Sequence, residues 1–202
     1  MGRINVVVVS AACALLLAGC TSAPAGPPGL TASPTTSETA APTPAPTEDE
    51  GVDDLSDPEL GIVFEDIPEL EGDAADVYNW IATYNKEYWR TLTTNTVSPA
   101  FGVLASAEVQ ARMQQIADKN TSIQGTIGGV LHSSISNVVV DGDSASGMVC
   151  DDFREATFAD PTRSYTPEEA GFGDRASVKV TLARVPAEDR WTIATTTVEG
   201  TC

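Results

Sequence analysis

An α+β fold, with N-terminal helices packed on one face of a curved, mostly antiparallel sheet of four to five strands, is the architecture this chain predicts. Three observations carry that expectation. Apolar residues recur at helical spacing between residues 73 and 120, the period switches to two after Asn120, and turn residues then separate a run of consecutive strands. Helices that all precede the strands leave one sheet face for them to cover.

Before those elements the chain divides by composition. Residues 1–19 read as an export leader: Arg3 supplies a short positive region, and residues 4–17 are apolar but too few to span a membrane comfortably. Leu17-Ala18-Gly19-Cys20 follows and resembles the lipobox of bacterial lipoproteins. That resemblance implies cleavage before Cys20, lipidation of its thiol and acylation of the new amino terminus. Several acyl chains, at roughly 0.8 kcal/mol per buried methylene, make such an anchor permanent. The competing reading is an ordinary secretory leader in which Cys20 is incidental. Residues 20–58 are assigned to a tether, rich in Pro, Thr and Ala and then in acids, with too little apolar surface to offset its ordering entropy. The tether reaches roughly 35 Å as a coil and about 100 Å if stretched as polyproline.

The domain is assigned to residues 59–202, with its core at 73–202. The formal charge of −18 describes it poorly. Fourteen acids and no Lys or Arg lie between residues 38 and 76, whereas 15 acids face 10 bases from residue 77 onward. The domain is therefore only mildly anionic. Without a basic stripe it has no means of displacing phosphate counterions, which argues against nucleic acid and against docking on an anionic membrane by charge.

Leu60-Gly61-Ile62-Val63-Phe64 is a short apolar run expected to pack on the edge of the domain, with an exposed partner motif as the alternative. Val77, Ile81, Tyr84, Tyr88 and Leu92 then trace one stripe of an amphipathic helix, with Asp73 and Asp76 suited to its N-terminal dipole. Trp80, Tyr84 and Tyr88 are candidate pocket-lining residues, weighed against plain core packing. Residues 106–120 form a second helix, with Ser106 as N-cap and Val109, Met113, Ile116 and Ala117 inward. A strand is expected through Ile123, Ile127 and Leu131, with Gly125 and Gly129 on the same face marking a bend or close approach.

A hairpin follows, its strands running from Ile135 to Val140 and from Ser144 to Phe153 about the turn Asp141-Gly142-Asp143. The turn is not a calcium loop, since Ala145 and Ser146 stand where a ligand and a glycine are needed. Residues 155–174 form a long connection whose Phe158, Tyr165 and Phe172 make it the candidate recognition loop. Residues 176–185 and 190–199 close the sheet as an antiparallel pair, with Trp191 and Ile193 facing one way.

Chemistry-bearing residues are few. Cys13 leaves with the leader and lipid consumes Cys20, so Cys150 and Cys202 remain as an exported pair, expected to form a disulfide. The closed loop of about 50 residues contributes at most roughly 4 kcal/mol. No Cys-x-x-Cys and a single His give neither a redox motif nor a zinc set; no metal and no cofactor are expected. His132 falls on the polar strand face, away from any cavity. Asp151 and Asp152 are strand neighbours and so point to opposite faces, which leaves only one of them able to look inward. A salt bridge or a solvated strand end is the reading preferred for them, and no residue is assigned a catalytic role.

The long aromatic helix, the Asp141-Gly142-Asp143-Ser144-Ala145 turn leading to Cys150-Asp151-Asp152, and the closing Arg190-Trp191-Thr192-Ile193 strand together resemble the nuclear-transport-factor-2-like (SnoaL-like) superfamily over residues 73–202. The chain looks like the lipid-anchored actinobacterial members of that superfamily in particular. The resemblance implies a cone-shaped α+β domain, within a superfamily that holds dehydratases, isomerases and many domains without known chemistry. The expectation is a lipid-anchored module on the extracytoplasmic face of the cell membrane that binds an envelope protein or a small apolar ligand without catalysis. The alternative is an acid/base enzyme of the dehydratase or isomerase type.

Overall fold

The computed structural model describes residues 51–202; the leader, Cys20 and residues 20–50 of the tether lie outside the described residues. Among the described residues the chain runs β1 Ile62–Glu65, α1 Gly72–Thr94, α2 Phe101–Leu104, α3 Ala107–Ser122, β2 Thr126–Gly129, β3 Leu131–Asp141, β4 Ser144–Asp152, β5 Ala156–Ala159, β6 Ser164–Tyr165, β7 Arg175–Val185 and β8 Arg190–Gly200. Five strands make one mixed sheet in the order β1-β3-β4-β7-β8, parallel only between β1 and β3. β2, β5 and β6 make a second, three-stranded sheet. The class is α+β, as expected, but the main sheet is not strongly curled. None of these helices is long and apolar enough to cross a membrane.

The helical stripe does what its spacing requires. Val77, Ile81, Tyr84 and Leu92 are buried, and α1 ends at Asn95 in the left-handed conformation that stops a helix. α1 crosses β4 at Gly147, where a Cβ would lie 2.7 Å from Ile81 Cδ1, so any larger residue there would force the Ile81 side chain to shift. The inward residues of the sheet alternate as strands dictate: Ala145 and Val149 on β4, Val180 and Leu182 on β7, Trp191 and Ile193 on β8. α3 starts where the Ser106 side chain accepts the Val109 N–H, and it buries Val109, Met113 and Ala117. Cys150 and Cys202 are disulfide-bonded, with Cα atoms 6.0 Å apart, tying the chain beyond β8 to β4.

Two expectations change. The single strand through Ile123, Ile127 and Leu131 does not form: α3 continues to Ser122 and Ile123 is 52 % exposed at its C-cap. Gly129 then takes a φ of 77° and passes so close to Glu155 that a side chain would strike its carbonyl, which ends β2 and turns the chain into β3. Ile127 thus serves the small sheet and Leu131 the main one. Residues 51–58, assigned to the tether by their acidity, are docked on the domain. Val52 and Leu55 pack against the core, Asn79 holds the backbone of Gly51 and Asp53, and Asp57 meets Lys86 at 3.1 Å. Two apolar residues and a paired acid outweigh the local charge once α1 offers a surface. The apolar run after them is the edge strand β1, in keeping with the packing reading.

Candidate functional site

Between α1, α3 and the inward faces of β4, β7 and β8 lies a cavity of about 280 Å³. Its walls are chiefly apolar, with Met113, Ile116, Val149 and Val178 beside Phe153 and Phe172. Tyr84 and Tyr88 project into it from α1, as two of the three candidate pocket residues were expected to. Trp80, the third, does not reach it: its indole donates to Leu104 O at 3.2 Å and pins α2 to α1 instead.

The alternation of β4 that buries Ala145 and Val149 carries Asp151 inward as well, and the carboxylate is 3 % exposed. Asn85 Nδ2 donates to Asp151 Oδ1 at 2.8 Å and also approaches Ser133 Oγ at 2.8 Å, while the Ser133 hydroxyl bonds the same carboxylate. Burial pushes the Asp151 carboxyl up to about 6, against the opposing pull of those two donors. Burial likewise pushes the Tyr84 phenol up to about 12 and raises that of Tyr88 further, with the charge of Asp151 adding to both. Both phenols are therefore neutral hydrogen-bonding groups, whereas Asp151 changes charge just below neutrality. Among the described residues lining the cavity the one cation is Arg112, exposed and engaged with Thr196 O at 3.0 Å.

Asp152, the strand neighbour, faces the other way. It pairs with Arg154 and, at 3.0 Å, with Arg175, and those hydrogen bonds hold its carboxyl well below the usual range. The salt-bridge reading thus describes Asp152, while Asp151 departs from it because, among the described residues, no cation pairs with it. His132 shares the outer surface of Asp152, in a groove with Glu65 and Glu155. Its Nδ1 is 2.8 Å from Glu65 Oε1 and its Nε2 3.4 Å from Glu155 Oε2. Burial pulls its pKa down, but the two carboxylates more than compensate and leave it above the ordinary 6.5. His132 is thus remote from the cavity, as its strand parity requires.

The candidate recognition loop is not free. Residues 155–174 contain β5 and β6, Phe158 is buried, and its ring stacks on Phe172 at 4.8 Å with Phe153 beside both. Tyr165 bonds Asp160 and lies under Arg163. Phe172 closes the cavity together with Phe153, whereas Phe158 and Tyr165 line a separate hollow beside the C-terminal end of α3.

Asn85 and Ser133 escape a reading of motifs, although each leaves a signal. Asn85 sits within the Ile81–Tyr88–Leu92 stripe, and Ser133 lies between Leu131 and Ile135 on an otherwise apolar face. A polar residue at a core position requires a buried partner.

No family model matches this chain, and no curated protein sequence matches it. Among solved structures it is similar to the intermembrane space region of the chloroplast protein ARC6, at 13 % identity over 64 % of this chain and 98 % of that one, with a TM-score of 0.49.

Proposed function

We propose that the chain is a lipid-anchored protein of the extracytoplasmic membrane face whose nuclear-transport-factor-2-like domain binds a small, mostly apolar ligand without chemistry. One observation carries the reading: an apolar cavity of about 280 Å³ that contains a single buried, donor-supported carboxylate. Its size is near the lower end of the roughly 300–1,000 Å³ of small-molecule sites, and a few polar groups set among apolar walls are what such sites use to orient a ligand. Helices on one face of a mostly antiparallel sheet support the superfamily assignment, and the leader with Leu17-Ala18-Gly19-Cys20 supports the anchor. Titration with phenethyl alcohol, followed by NMR shifts at Tyr84 and Phe172, is expected to saturate in the wild type. In Val178→Trp, which fills the space, the shifts should vanish; a wild type with no shifts refutes the reading. For the anchor, Cys20→Ser should move the protein from the detergent to the aqueous phase on partitioning.

Asp151 favours a second reading, an acid/base enzyme of the dehydratase or isomerase type. A buried carboxyl with a pKa near 6 beside two phenols has the proton affinity that proton transfer at neutral pH needs. Exchange of the α-protons of a cyclic enone into D₂O, present in the wild type and lost in Asp151→Asn, would favour that reading over simple binding.

A further inference from the structure

The cavity holds a carboxylate with which, among the described residues, no cation pairs. A carboxylate has about four acceptor sites, and among the described residues Asp151 has donors from Asn85 and Ser133 alone. Of the described elements packed around the cavity, α3 alone supplies a cation to its lining. α1 brings Tyr84, Asn85 and Tyr88, all neutral. β3 brings Ser133, β7 and β8 bring Val178, Val180 and Thr196, and residues 155–174 bring Phe172. α3 brings Arg112, which is exposed and held by Thr196 O at 3.0 Å and Thr196 Oγ1 at 3.3 Å. An ionised carboxylate in so apolar a place is costly until a cation pairs with it. The rings of Tyr84, Tyr88, Phe153 and Phe172 along the same walls suit a cation too, since aromatic faces attract positive charge once water is excluded.

We propose that the cavity takes a small apolar monoamine, whose ammonium group pairs with the Asp151 carboxylate while its hydrocarbon body fills the space between the aromatic and aliphatic walls. This rests on reading the cavity as a ligand site and adds the chemistry of the ligand.

Three probes with one skeleton and different charge test it: phenethylamine, phenethyl alcohol and phenylacetate, titrated calorimetrically into the full chain at about pH 8, where both the amine and Asp151 are charged. The amine is expected to bind at least about tenfold tighter than the alcohol, with phenylacetate weakest. An alcohol that binds as tightly as the amine overturns the amine and leaves the ligand site standing. Silence from all three overturns both. In Asp151→Asn the preference should collapse to within about twofold while the alcohol still binds. Should that variant not fold, the wild type supplies the same answer. Its affinity for the amine should drop about tenfold between about pH 8 and about pH 5, as the carboxyl protonates, with the alcohol unchanged; a flat amine profile overturns the proposal.

Discussion

Asp151 and Asp152 are one peptide bond apart and live in opposite electrostatic worlds. Asp151 looks inward, meets two neutral donors, pairs with no cation among the described residues, and is pushed up to about 6 by burial. Asp152 looks outward into a groove where Arg154 and Arg175 hold its carboxyl well below the ordinary 3.8. The chemistry of the two side chains is the same, so the difference comes entirely from strand parity and from what the rest of the fold brings to each face. A carboxylate paired with arginines is a structural element. One placed in an apolar cavity without a counter-ion costs stability whenever it is ionised, and such a cost is expected where function requires it.

Breaking the strand that both acids share should have the largest effect. Cys150 precedes them directly, and its link to Cys202 closes a loop with a sequence separation of 52. Cys150→Ser is expected to lose up to about 4 kcal/mol in denaturant titration, and a loss below about 1 kcal/mol would mean that sheet pairing alone holds β4 in place.

Asp151→Asn should act in the opposite direction. Because the native pKa of about 6 lies above the ordinary 3.8, the native state holds the extra proton between those values. The stability this contributes is complete below about pH 4 and is lost as pH rises through about 6, a fall of about 3 kcal/mol at roughly 1.4 kcal/mol per unit. The asparagine variant lacks that fall. It should match the wild type near pH 4 and exceed it by up to about 3 kcal/mol near pH 8, as read by chemical denaturation. A variant that is less stable at the higher pH would show that Asn85 and Ser133 require the charge.

Asp152→Asn should be destabilising by no more than about 1 kcal/mol, since Arg154 is largely exposed and solvent screens the pair. The sign is the reverse of Asp151. Stability from a depressed carboxyl is present above its ordinary value and lost as pH falls below about 4, so the mutational difference should shrink in acid. The smallest effect belongs to His132→Gln. The native pKa of His132 lies above 6.5, so its pairing with Glu65 and Glu155 contributes fully below that value and fades as pH rises beyond it. A loss of about half a kcal/mol near pH 6, absent near pH 9, is expected on this partly exposed site.

Much of the fold was legible in the chain. The stripe of α1, the Ser106 cap, the Asp141-Gly142-Asp143 hairpin and the closing strands are periodic or local signals, carried by residues that lie near one another along the sequence. The strand expected through Ile123 fails for the same reason. Alternation continues across Gly129, and only the approach of Glu155 reveals that the chain turns there.

By itself the sequence determined that Asp151 and Asp152 face apart, that His132 lies off the core face, and that Tyr84 and Tyr88 point with the stripe of α1. Only the tertiary structure decided which acid is buried and what surrounds it. The contacts that answer this join Asn85 to Ser133 across a separation of 48 and to Asp151 across 66. Strand and helix periods assign a side chain to a face; the identity of the neighbour waiting on that face depends on long-range packing, in which no local pattern takes part.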